Sequence, residues 1–291
     1  SAFWGGFWAG AMYAASFVVI QLLHCTLATK QPAMTAPAMA AKLKDIGTPE
    51  AVNAFVDEVA HLMRSQAAAV LGNVLVVFPV VLLLSVGIGL LLGHPMLGAK
   101  EAAYTLHSLS LLGPTLLFAG FTGCLLFASS IIAGWVENWF VLRRLDSAMR
   151  YNPSVTGLLG VERAGRWAHF MRNNISGFAS NISLGFMLGL IPPIMAFFSL
   201  PLEVRHVTLS AGQLAAASVA YGVQTVFMPA FWWAVAAIPL IGALNLGVSF
   251  YLAYKLALRA HNVSGVQRAH IHQAIWARWR HRPLSFFIPA G

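Results

Sequence analysis

The most informative residues with chemical potential are Glu137, Asn138, Arg143 and Arg144. Glu137 is the one carboxylate inside an apolar run, where an unpaired charge in a membrane costs about 3 kcal/mol or more. In a continuous helix, Glu137 and Arg144 are about two turns apart and share one face. Two interpretations remain open. One is an interfacial ion pair that sets the depth of the helix, and the other is a proton or cation site in a transport path.

A second polar group consists of Glu203, Arg205, His206 and Ser210, which follow a proline and surround the cap-like Thr208. One interpretation is a turn clamp with a purely structural role. The other is a site for an anionic lipid headgroup or another anion, which the positive end of a helix starting near Thr208 would favour.

Three amides, Asn181, Gln213 and Asn245, lie in or beside apolar runs. Amides in such places usually form hydrogen bonds between membrane helices. The alternative is a polar cavity that the three side chains line together.

The C-terminal segment is basic and aromatic, with His261, His270, His272, His281, Trp276, Trp279, Arg278, Arg280 and Arg282. The pair His270 and His272 has no carboxylate nearby, so we predict neither a metal nor a cofactor, and we assign no catalytic residue. Anionic lipid is the favoured partner of this segment. Nucleic-acid contact through arginine and stacked tryptophan is physically allowed but disfavoured.

The composition places these residues in a membrane protein. Hydrophobic residues make up 58% of the 291 residues and charged residues 9%, whereas soluble domains carry about 25% charged residues. The mean hydropathy is +0.72. Cys25 and Cys124 both lie in apolar runs and are interpreted as small buried side chains.

The pattern predicts an all-α fold, a polytopic transmembrane helical bundle of about five spans plus a re-entrant or interfacial helix. The predicted spans are 3–28, 67–92, 109–142, 175–200 and 229–258. Residues 208–226 are only moderately apolar and form the additional helix; a sixth span is the alternative. An amphipathic helix over 48–66, capped by Thr48, runs on into the second span. Gly6 with Gly10 and Gly185 with Gly189 form GxxxG pairs that are typical of close helix packing.

Charge orients the predicted bundle. Residues 143–174 form a basic loop, with a short helix around 162–171, that holds six arginines and two acidic residues, and the tail 259–291 holds no acidic residue. The positive-inside rule places both segments in the cytoplasm and residue 1 outside. We therefore predict a membrane domain over 1–258 and a cytoplasmic tail over 259–291. The expected partners are anionic lipids at the loop and tail, and a second copy of the chain.

Several stretches carry a family resemblance. They are TLATKQPAMTAP at 26–37, IAGWVENWF at 132–140, NISLGF at 181–186, LEVRHVTLS at 202–210 and NLGVSF at 245–250. Together they resemble bacterial membrane proteins that bear the name site-specific recombinase, the gonococcal Gcr-like family, over nearly the whole chain. Members are typically longer, so the resemblance implies that this sequence is the C-terminal membrane part of a longer protein.

The family name implies DNA strand exchange, which requires an activated tyrosine or serine beside arginines, or a carboxylate set for two metals. Tyr151, near Arg143, Arg144 and Arg150, is the one tyrosine whose neighbourhood fits. The residues instead favour a non-enzymatic role in the bacterial inner membrane, in transport or envelope maintenance. DNA recombination and a membrane scaffold for a partner protein are the alternatives.

Overall fold

The computed structural model describes residues 2–23, 48–260 and 265–288, and within them the chain is all α, with no strand. The α-helices of these residues are α1 Ala2–Leu22, α2 Pro49–Leu92, α3 Ala99–Ser108, α4 Thr115–Leu142, α5 Leu145–Tyr151, α6 Pro153–Leu159, α7 Val161–Phe197, α8 Val207–Tyr221, α9 Pro229–Ala260 and α10 Gly265–His281. Short 3-10 turns lie at Gly222–Phe227, between α8 and α9, and at Pro283–Phe286, after α10.

Five of these helices, α1, α2, α4, α7 and α9, are long and apolar enough to cross a bilayer. The predicted all-α fold with five candidate spans is confirmed. The third span is shorter than predicted, because the helix begins only after Pro114, at Thr115. The predicted end of the first span, with Cys25, and also His261, lie outside the described residues.

The chain divides into two compact units. One consists of the described parts of Ser1–Leu27 and Ala128–Glu203, and the other of the described parts of Ala28–Phe127 and Val204–Gly291. The helix α4 contributes its first half to the second unit and its second half to the first.

In the first unit, α1 packs against α7 along a seam of small residues. A Cβ atom added to Gly6 would lie 2.6 Å from the Gly189 carbonyl oxygen, and one added to Gly10 would lie 3.1 Å from the Phe186 Cα. A Cβ atom on Gly185 would overlap the backbone of Ala14. Higher residue numbers on α1 thus meet lower ones on α7, so the two helices are antiparallel with their backbones in contact, as the GxxxG pairs predict.

The predicted basic loop 143–174 is helical, which corrects the sequence interpretation. After α4 ends, Arg144 adopts a left-handed conformation with φ 49°, and α5 and α6 follow. The helix α7 then begins at Val161 and runs for 37 residues, so the predicted short helix and the fourth span are one element. No proline occurs between Val161 and Pro192, so every backbone N–H over that stretch is available for helical hydrogen bonding.

In the second unit, α2 begins as predicted. The Thr48 hydroxyl oxygen accepts a hydrogen bond from the Ala51 backbone N–H at 3.3 Å, and Pro49 occupies the first turn, where its missing N–H costs nothing. The helix continues for 44 residues, past Pro79, to a left-handed Gly93. The amphipathic helix and the second span are therefore one helix.

The C-terminal segment packs on the first turns of α2. Phe55 and Val59 of α2 form a small core with Ile271 of α10 and with Phe286 of the final 3-10 turn. Arg278 forms an ion pair with Asp57, and the Arg64 guanidinium donates to the Ser285 carbonyl oxygen at 2.5 Å. This part of the predicted tail is thus a folded element that shares an apolar core with α2.

The helix α8 lies at the centre of the second unit. It has 15 residues, fewer than the roughly 20 needed to cross a bilayer. At its start, Val207 and Val70 both approach Gly242, at 3.3 and 3.0 Å from the Cβ position of that glycine. At its end, the Tyr221 hydroxyl donates to the Ala99 carbonyl oxygen at 2.9 Å. The structure agrees with five spans and a shorter additional helix.

Candidate functional site

The structure separates the first predicted group. Glu137 and Asn138 are exposed near the end of α4, and within the described residues Glu137 makes no ion pair within 4.0 Å. Arg144 does not share its helical face, because α4 ends at Leu142 and the chain turns at Arg144. The expected pairing of Glu137 with Arg144 along one helix is therefore wrong.

In the first unit, Asn181 joins α7 to α1. Its side-chain amide donates to the Phe17 carbonyl oxygen at 3.2 Å and to the Gln21 side-chain oxygen at 2.6 Å. The Gln21 amide in turn donates to the side-chain oxygen of Asn174 at 3.2 Å. Asn181 is 1% exposed, so these bonds satisfy a polar group that would otherwise be costly to bury.

In the second unit, Asn245 joins three elements. Its side-chain oxygen accepts a hydrogen bond from the Val207 backbone N–H at 3.0 Å. Its amide nitrogen donates to the carbonyl oxygens of Ala119 and Arg205, both at 2.9 Å. Asn245 thereby caps the start of α8 and fastens it to α4 and α9, which satisfies a backbone donor at the helix terminus.

The predicted polar cavity requires that Asn181, Gln213 and Asn245 line it together. Asn181 belongs to the first unit, whereas Gln213 and Asn245 belong to the second. Asn181 and Asn245 use their amides to link helices, and Gln213 is exposed on α8. The geometry therefore favours interhelical hydrogen bonding for Asn181 and Asn245.

Arg205 is a buried cation of the second unit. Its guanidinium donates to the Ser108 carbonyl oxygen from Nε at 3.4 Å and from Nη2 at 3.0 Å, and it lies 5.5 Å from the centre of the Phe118 ring. Its backbone N–H donates to the Thr122 hydroxyl at 2.7 Å. Ser108 is the last residue of α3, so the cation lies at the negative end of that helix, where charge and dipole attract.

Arg205, His206 and Ser210 come together at the start of α8, each less than a tenth exposed, while Glu203 falls in the first unit. Asn245 lies at the midpoint of the 32-residue helix α9. The hydrogen bond from Val207 to Asn245 therefore places the start of α8 halfway along an apolar helix. We call Arg205, His206, Ser210, Thr122 and Asn245 the α8 entry cluster.

Sequence reasoning missed two members of this arrangement. It left residues 93–108 as the connection between the second and third predicted spans, although Ala99–Ser108 is a helix whose terminal carbonyl oxygen binds Arg205. It also overlooked Thr122, a threonine in an apolar run. The basic His107 in the last turn of α3 was an available signal for a helix end.

The sequence model of the family described as "Site-specific recombinase" matches residues 1–289. The chain belongs to the site-specific recombinase family. No curated protein and no solved structure matches it at a significant level.

The recombinase name directs attention to Tyr151. This residue ends α5 and is 67% exposed, and the Arg150 guanidinium lies 5.5 Å from the centre of its ring. The guanidinium thus lies over the face of the tyrosine ring, and this contact does not involve the tyrosine hydroxyl. Among the residues that the structure describes, no three His, Cys, Asp or Glu side chains come together as a candidate metal site.

Proposed function

We propose that this member of the site-specific recombinase family is a multi-pass protein of the bacterial inner membrane that transports a small polar solute, with α8 as a re-entrant helix at its centre. The observation that carries the proposal is the burial of Arg205, whose carbonyl oxygen is bonded, with the start of α8, to Asn245 at the midpoint of α9.

A charged side chain at membrane depth is expensive, and in known membrane proteins it usually serves ion or substrate passage. Helices that begin within the membrane are likewise typical of transporter binding sites. The α8 entry cluster combines both features. Its positive charges, the Arg205 guanidinium and the amino end of α8, favour an anionic solute over a cationic one.

Contact with lipid is supported by the outer surface of α2. Leu75, Leu83 and Leu91 are 70%, 68% and 87% exposed, an arrangement that water would disfavour by about 25 cal/mol for each Å² of apolar surface. The exposed arginines of 143–172 support a cytoplasmic location for that segment. The antiparallel pairing of α1 with α7 then supports an external amino end of α1.

The test is solute flux in liposomes that contain the purified full chain. Chloride, nitrate and phosphate uptake is compared with uptake of sodium and potassium, in protein-containing and empty vesicles. We expect anion uptake above the empty-vesicle rate, and we expect Arg205→Lys to reduce it at least about tenfold, because lysine lacks the planar fork that spans the Ser108 carbonyl oxygen.

The matched control is Arg282→Lys, at an exposed arginine outside the cluster, which should leave uptake unchanged. Thermal unfolding in detergent separates a loss of flux from a loss of fold. Uptake no faster than in empty vesicles for every ion, with correctly folded protein, would refute the transport proposal and favour the scaffold alternative.

A further inference from the structure

The second half of α4 and the first half of α7 form an antiparallel pair in the first unit. The Ser180 hydroxyl lies 3.4 Å from the Ser129 hydroxyl. Arg150, shortly after the end of α4, lies 3.6 Å from the Cβ position of Gly165, near the start of α7. The chain thus leaves α4 and returns to α7 on the same side of the serine contact, so we compare residues of the two helices by their distance along the chain from that contact.

Counting outward from that contact reveals two layers. Trp139 falls level with Phe170, and Leu142 falls level with Trp167, because each helix rises by about 1.5 Å per residue. Trp135, Trp139 and Trp167 are all exposed and span about 10 Å along the two helices. We call these three residues the tryptophan layer.

Arginines follow immediately beyond the tryptophan layer. Arg143 and Arg144 come directly after the end of α4, and Arg163 lies one helical turn, about 6 Å, beyond Trp167 on α7. All three are exposed. We call Arg143, Arg144 and Arg163 the arginine layer.

The arginine layer is not held in ion pairs by the part of the chain that the structure describes. In the described part of the chain, none of its three members has an ion pair within 4.0 Å. Arg166 differs, because its guanidinium contacts the Glu162 carboxylate at 2.6 Å. The same helix thus carries a compensated arginine one turn from an uncompensated one.

We propose that the arginine layer binds the phosphate groups of acidic phospholipids, which the tryptophan layer positions from the acyl-chain side. One guanidinium group can donate two parallel hydrogen bonds to the oxygens of one phosphate. Exposed tryptophans beside such arginines are typical of the lipid interface. Lipid is favoured over a nucleic acid because Trp135 and Trp139 lie between the arginines and the exposed apolar part of α4. The inference rests on the membrane location in the proposed function but not on solute flux.

The experiment measures which lipids remain bound to the full chain after extraction from nanodiscs that contain equal amounts of phosphatidylglycerol and phosphatidylcholine. Native mass spectrometry counts the retained lipids. We expect at least about threefold enrichment of phosphatidylglycerol, in line with the attraction of clustered arginines to acidic headgroups. The triple substitution Arg143→Gln, Arg144→Gln and Arg163→Gln should remove more than half of the enrichment, and the control Arg166→Gln should retain most of it.

Should the triple variant fail to fold, Arg143→Gln with Arg144→Gln and, separately, Arg163→Gln provide milder variants, each expected to lose part of the enrichment. Equal retention of both lipids by the unsubstituted chain, or enrichment that no arginine substitution alters, would overturn the proposal. So would arginine-dependent binding of a DNA duplex that excludes phosphatidylglycerol from the same chain. The mass spectrometry measures lipid retention and does not depend on solute transport. Its result can therefore be interpreted even if the transport assay fails.

Discussion

The side-chain oxygen of Asn245, at the midpoint of α9, accepts a hydrogen bond at 3.0 Å from the backbone N–H of Val207, the first residue of α8. The same amide donates to the carbonyl oxygen of Arg205. One side chain therefore fixes both the end of the non-helical segment and the beginning of the helix. With the bond to the Ala119 carbonyl oxygen, this side chain forms three hydrogen bonds of the α8 entry cluster.

Asn245→Ala should destabilise the second unit by about 2–4 kcal/mol, because buried groups lose their hydrogen-bond partners and a small cavity opens. Thermal unfolding in detergent, followed by circular dichroism, measures the effect. The control is Gln213→Ala on α8, where the side chain is exposed and the expected change is within about 0.5 kcal/mol. Equal melting temperatures for the two variants would contradict this account of Asn245.

Gly189→Ala should loosen α1 from α7, since the new Cβ would overlap the backbone of Gly10. We expect a loss of at least about 2 kcal/mol, in the upper range of single substitutions. Gly134→Ala on α4 is the control, because its Cβ position has no atom within 4 Å, and alanine there should be neutral or stabilising by up to about 1 kcal/mol. Proteolytic release of α1 reports the difference, and a Gly189→Ala chain as resistant as the control would show that the seam tolerates a methyl group.

Phe286→Ala should release the C-terminal segment from α2. Phe286 is 1% exposed and packs in the small core with Ile271, and truncation of a buried phenylalanine costs about 3–5 kcal/mol. Hydrogen exchange of α10 should rise strongly in this variant. Phe287→Ala, at the neighbouring and 48% exposed residue, should leave exchange nearly unchanged. Slow exchange in both variants would mean that α10 is held by contacts other than this core.

The bounds of a helix could be predicted from the sequence where a single physical property, such as apolar length or a helix cap, determined them. Apolar length predicted α9 almost to the residue, and Thr48 with Pro49 predicted the start of α2. The GxxxG pairs predicted close packing, although their pairing across α1 and α7 required coordinates. Helix propensity is a weaker signal than apolar length, and the charged stretch 143–174 was therefore interpreted as a loop although α5, α6 and α7 occupy it.

The candidate site was harder to predict, because its contacts join residues far apart in the chain. Arg205 and His206 were singled out by residue type, but their partners Ser108, Thr122 and Asn245 come from α3, α4 and α9. No periodicity links these positions. The shared helical face expected for Glu137 and Arg144 is absent for a local reason, a left-handed Arg144, since a non-glycine residue with positive φ leaves little trace in sequence.

The seam between α1 and α7 also limits where this chain can change in length. Gly177, Asn181, Gly185, Gly189 and Pro193 recur at intervals of four along α7, and each of the three glycines faces α1. A single inserted residue among them would rotate every later position by about 100°, which would turn the remaining glycines away from α1 together. Natural insertions and deletions in this family should therefore be absent from 177–193 and occur in turns between helices, such as the turn between α6 and α7.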